Sequence, residues 1–129
     1  MADLWPDDFG KSDVTPPRTI LREQAEALSK KTRGLVEGLV TTISHPPHSF
    51  AQTFFLSVPD LDNYTYRLLV VVHPLQFYPL DVQAEVLGKT FACAAEKDFK
   101  DALREIFNAN ETKRIIAALL AQVKEVESV

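Results

Sequence analysis

The residues of this chain whose type and spacing could do chemistry are its three histidines. His45 and His48 flank Pro46-Pro47. In polyproline II geometry, with three residues per turn, they point the same way. His73 closes a later strand, and antiparallel pairing brings that end back toward the 45–48 turn. Three imidazoles could form a zinc ligand set, but such sites usually recruit thiolate or carboxylate help. No cysteine or acidic residue stands here at ligand spacing. Solvated turn histidines are the simpler reading, so neither a metal nor another cofactor is expected.

Other catalytic patterns fail on inspection. There is no Gly-x-Ser-x-Gly elbow, no dinucleotide fingerprint and no phosphate loop; Gly88-Lys89-Thr90 lacks the upstream glycine. Asp60, Leu61, Asp62 and Asn63 lack the glycine and distant glutamate of a calcium loop and read as a turn. Cys93 sits among Phe91, Ala92, Ala94 and Ala95, which suits a buried small hydrophobe better than a thiolate. Tyr64 and Tyr66 have no interleaved basic residues, unlike an aromatic nucleic-acid platform. The reading leans away from an enzyme.

The elements that position these residues follow from patterning. A chain of 129 residues that is 46% hydrophobic and 25% charged is most simply one globular domain. Its net charge of −4, from 18 acidic and 14 basic residues, argues against a nucleic-acid surface. One cysteine permits no intrachain disulfide and fits a reducing cytoplasm. The opening residues lack the basic and apolar regions of a signal peptide, and no run approaches the ~18 apolar residues of a membrane span. The expectation is a soluble cytoplasmic protein that makes no membrane contact.

Residues 1–14 form an acidic arm whose Trp5 and Phe9 either dock on the domain or serve a partner as a linear motif. The domain itself covers 15–129. Thr15 is the expected cap of a first helix ending near Arg33, with Gly34 as its C′ residue. Four strands follow, at 35–44, 49–58, 64–73 and 77–86, joined by Pro- and Asp-rich turns. The pattern leaves a fifth strand at 89–94 open. Phe99, Ala102, Leu103, Ile106 and Phe107 make one face of a second helix, and a third starts at Asn110 as N-cap. The fold class is α+β: an antiparallel four- or five-stranded meander with one N-terminal and two C-terminal helices, packed as a two-layer sandwich.

Pairing Val58 with Tyr64 sets Leu56 opposite Tyr66 and Phe54 opposite Leu68. A short turn at 74–76 then sets Val72 opposite Tyr78 and Val70 opposite Leu80. On this register Phe50, Phe54, Leu56, Val58, Tyr66, Leu68, Val70, Val72, Leu80, Val82 and Val86 face the core, and Gly38 leaves room for the Phe54 ring. The other face carries Phe55, Arg67, Leu69, Val71, His73 and Gln83, with an apolar centre of Phe55, Leu69 and Val71. Three helices suffice for one face of the sheet and are thin cover for two, so this second face is the predicted contact surface; the alternative is that the first helix covers one face and the second and third cover the other.

The stretches Trp5-Pro6-Asp7-Asp8, Ile20-Leu21-Arg22-Glu23-Gln24-Ala25, Lys31-Thr32 and Glu111-Thr112-Lys113-Arg114 are similar to small bacterial proteins. The resemblance implies a bacterial origin and brings no activity, cofactor or site residue. The functional expectation is therefore a non-enzymatic module that binds itself or another protein through one sheet face. Two alternatives stand beside it. One is a small-ligand or metal-binding protein with a pocket between sheet and helices, lined by Tyr66, Tyr78 or the histidines. The other is an antitoxin- or immunity-like partner of a toxic enzyme.

Overall fold

Alternating apolar residues in the middle of the chain form five strands in the computed structural model, which describes residues 2–45 and 49–127. They are β1 (Glu37–His45), β2 (Ser49–Val58), β3 (Tyr64–Pro74), β4 (Leu80–Ala84) and β5 (Lys89–Cys93). The sheet is an antiparallel meander in the order β1-β2-β3-β4-β5, so the open fifth strand does pair. Helix α1 (Pro17–Lys31) precedes it, and α2 (Glu96–Asn108) and α3 (Asn110–Glu127) follow. The turn through Pro46, Pro47 and His48 lies outside the described residues. No helix among those described is long and apolar enough to cross a membrane.

Helix α1 starts at Pro16 as N-cap without a side-chain cap bond, so Thr15 does not cap it as expected. The proline that follows loses nothing in the first turn, because its missing N–H would have had no helical partner. At the other end the Arg33 and Gly34 amides donate back to the Lys30 and Ser29 carbonyls, at 3.3 and 2.7 Å. Arg33 rather than Gly34 therefore holds the left-handed C′ position, at φ 55°. The Thr32 hydroxyl then donates to the Val36 carbonyl at 2.8 Å and accepts from its amide at 3.1 Å, clamping the helix end to the start of β1.

The β2–β3 pairing begins as expected, with Val58 opposite Tyr64 and Leu56 opposite Tyr66. It then shifts. Phe55 faces Arg67 and Phe54 faces Leu69, which leaves Leu68 as the extra residue of a β-bulge. Both residues of such a bulge can turn to one side, and Leu68 and Leu69 are both fully buried. From there on β3 has the opposite parity: Val71 and His73 join Leu69 in the core. The next hairpin also departs from expectation. Val72 faces Asp81 and Val71 faces Val82, because the connection spans 75–79 and β4 begins only at Leu80. Val86 lies in the short 3₁₀ turn after β4, partly buried.

All three helices pack on the Phe54 side of the sheet. Ala25 of α1 lies against Gly38 and the Phe54 ring. Phe107 of α2 meets the same ring at 5.6 Å between centroids. Thr112 of α3 is buried, and its hydroxyl donates at 2.7 Å to the Ile106 carbonyl, which also accepts from the Ala109 amide at 3.3 Å at the end of α2. The result is the two-layer α+β sandwich. The arm does not dock on it: Leu4, Trp5 and Phe9 are 92%, 74% and 75% exposed.

Candidate functional site

The sheet face opposite the helices is assembled by register. β1 supplies Leu39, Thr41 and Ile43; β2 supplies Ala51, Thr53 and Phe55, each directly opposite one of them. β3 adds Arg67, Val70 and Val72, and β4 adds Asp81 and Gln83. Ile43 is 53% exposed and Leu39 46%, while Phe55, Val70 and Val72 are half-buried among their neighbours. Ala51 and Thr53 lie at the bottom of this apolar strip, nearly enclosed by larger side chains. Charge stays at the margins: Arg67 is ion-paired with Glu85, and Glu37 and Asp81 stand near the ends.

Three of the six contact residues predicted from sequence lie on this face, namely Phe55, Arg67 and Gln83. The other three are corrected. Leu69 and Val71 are wholly buried and His73 is 5% exposed, on the helix-covered face, because the bulge at Leu68 reverses their direction. Val70 and Val72, expected in the core, replace them. The sequence signal was degenerate there. Leu68 to Val72 are five consecutive apolar residues, so either parity satisfies the alternation.

His73 is not placed to bind a ligand. Its Nδ1 lies 2.8 Å from the Pro74 carbonyl, which can only accept, so Nδ1 carries the proton. Nε2 then accepts from the Gln52 amide at 3.2 Å, and Gln52 Oε1 accepts from the Thr42 hydroxyl at 2.7 Å. The ring stacks on Phe50 at 5.5 Å. This chain of bonds lets Gln52 and His73 be buried without unpaired polar atoms. The side chain of His45 and all of His48 lie outside the described residues. Among the described residues no group of three metal-ligating side chains occurs.

Cys93, at the end of β5, and Tyr78, just before β4, are both perturbed by their surroundings. Burial first, then Asp98 and Asp81, push the Cys93 thiol up to about 11; burial first, then Glu96 and Cys93, push the Tyr78 phenol up to about 12. The thiol is therefore protonated at neutral pH and is no nucleophile. Both groups ionise earlier in the unfolded chain, near their ordinary values of 9.0 and 10.0. Their contribution to stability is complete below pH 9 and falls as pH rises toward 12. A urea midpoint that drops from pH 9 upward, with a shallower drop in Tyr78→Phe, is the expected result. The Tyr78 hydroxyl is buried with no hydrogen-bond partner among the described residues. Tyr78→Phe is thus expected to hold or raise stability at pH 7, by up to about 1 kcal/mol.

A second concavity, about 560 Å³, opens between α1 and α2. Phe54, Leu56 and Leu68 form its floor, and Lys31, Lys100, Arg104 and Glu23 stand around it. Neither Tyr66, Tyr78 nor His73 lines it. Comparison with family models, curated proteins and solved structures finds no match to the chain.

Proposed function

We propose that this protein is a non-enzymatic binding module that assembles with a second copy of itself through the open face of its sheet. The observation that carries the reading is the one-sided packing. Three helices cover one face, and the other keeps an apolar strip from Leu39 and Ile43 through Thr53 and Phe55 to Val70 and Val72. A lone antiparallel sheet face is normally polar where water wets it. A second copy suits this surface because its centre carries no charge, so a two-fold pairing sets no like charges together. Two such sheets would pack about 10 Å apart. At ~4.8 Å between strands and ~3.3 Å per residue, the face offers roughly 600 Å² per copy. Doubled, that reaches the lower end of specific interfaces, about 1,200 Å² in total.

Sedimentation tests the reading. The wild type is expected to sediment as a dimer and Ile43→Glu as a monomer with an unchanged far-UV spectrum. Ile43 is half-exposed on an edge strand, so the substitution costs the monomer little. A wild type that stays monomeric up to its solubility limit rejects the proposal.

A further inference from the structure

The two edges of the sheet differ. β5 has five residues, and Lys89 guards it: its ammonium pairs with Glu105 of α2 at 2.8 Å and lies 4.7 Å from the centre of the Phe91 ring. β1 has nine residues, carries no lysine, arginine or proline, and pairs with β2 without a bulge. An edge of this kind presents a straight row of unpaired N–H and C=O groups, a template for another strand. Its side chains suit one strand in particular, a second β1. Antiparallel pairing across a two-fold axis at Thr41 sets Leu39 opposite Ile43 of the other copy, twice over. Residues directly opposite in such a ladder share a face, and apolar pairs and Thr–Thr pairs both favour it. Leu39 and Ile43, 46% and 53% exposed, thus cover each other, and Thr41 meets Thr41. Glu37, the one acidic residue of the strand, does not meet its own copy.

We propose that β1 pairs antiparallel with β1 of another copy, so that two five-stranded sheets continue as one. The helix layer fits this approach. Ala25 of α1 sits over Gly38, and α1 and residues 37–40 line a groove of about 730 Å³ along the first half of the strand. On the same side of the second half, Thr42 and Ser44 are exposed. The two-fold register sets Gly38 opposite Ser44 and Val40 opposite Thr42. The covered half of each strand therefore lies beside the bare half of the other, and each groove receives residues 42–44 of its neighbour. The two Gly38 positions stand six residues apart along the ladder, about 20 Å, which separates the two α1 helices. The contact is distinct from the face pairing proposed above and leaves both open faces on one side of the joined sheet. A nine-residue ladder is about 30 Å long but a single strand spacing wide. It buries less than the open face, so it joins face-paired dimers only as concentration rises.

Sedimentation of Val70→Glu, whose charge on β3 disables the open face, reads the edge alone. It is expected to pass from monomer to dimer as concentration rises, while the wild type passes from dimer to tetramer. Thr41 lies on the axis, so a charge placed there meets itself. In the Val70→Glu background, Thr41→Glu and Thr41→Lys should each weaken the edge dimer about tenfold, because like charges then stand directly opposite in the ladder. An equimolar mixture of the two should restore it, since the opposed charges then differ in sign. The mixture uses the same two chains that fail alone, so misfolding cannot imitate the result, and far-UV spectra check each chain separately. A Val70→Glu chain that stays monomeric up to its solubility limit overturns the proposal, as does a dimer indifferent to the sign of the charge at position 41. Neither result bears on face pairing, which the wild type reports by itself. Equal association of wild type and Val70→Glu, with the charge rule kept, would reject face pairing and leave edge pairing standing.

Discussion

Val71→Glu is expected to unfold the protein, while Val70→Glu, one residue earlier, leaves it folded and impairs only self-association. Val71 is fully buried between Gln52 and Val82 on the helix-covered face. A carboxyl group there would meet no cation or free donor, since the Gln52 amide is already committed to His73 and Thr42. Removing such a group from water costs more than about 4 kcal/mol, against a total stability of about 5–15 kcal/mol for a typical domain. Val70 pairs with Thr53 and Gln83 on the open face, where its substitute's charge remains in water. Its cost to the monomer is on the order of 1 kcal/mol, from lost packing and lower β propensity. Urea titration followed by circular dichroism, together with sedimentation, reads both effects. The opposite pattern, with Val70→Glu unfolding the chain, would mean that β3 pairs without the bulge.

Gly38→Ala is expected to cost about 3 kcal/mol, a large effect for one methyl group. Gly38 has ordinary strand dihedrals, so backbone freedom is not why glycine stands there. The reason is the approach of α1. A Cβ at this position would fall 2.5 Å from Ala25 Cβ, 2.6 Å from Ala25 Cα and 2.9 Å from the Phe54 ring. Two of these contacts could be relieved by changing side chains, but the Cα cannot move unless the helix does. Ala25→Gly in the Gly38→Ala background should therefore restore little. Urea midpoints of the two single variants and the double variant measure this coupling. A rescue to near wild-type stability would place the clash in the side chain alone.

Most of the fold was legible from residue patterns because most strands alternate without ambiguity. In β2, Phe54, Leu56 and Val58 face inward, and in β4 Leu80 and Val82 do so between Asp81 and Gln83. The helices follow from their apolar stripes, and Gly38 does leave room for the Phe54 ring, although its cross-strand neighbour is Leu56. Phe55, Arg67 and Gln83 of the candidate face followed from the same period of two.

The second half of β3 could not be read this way. Five consecutive apolar residues fit either parity, so local chemistry leaves the choice open and long-range packing makes it. The bulge at Leu68 reverses the strand, and the longer 75–79 connection reverses it again, so β4 regains the orientation its own alternation demands. Two odd shifts cancel, which confines the exchange of faces to Leu69, Val70, Val71, Val72 and His73. By itself the sequence determined the element order, the α+β class and one apolar face on each unambiguous strand, because those follow from periodicity and turn chemistry. Only the tertiary structure decided which valines of β3 the helices cover, because that depends on burying both Leu68 and Leu69 and on matching Gln52 to His73 across the strands.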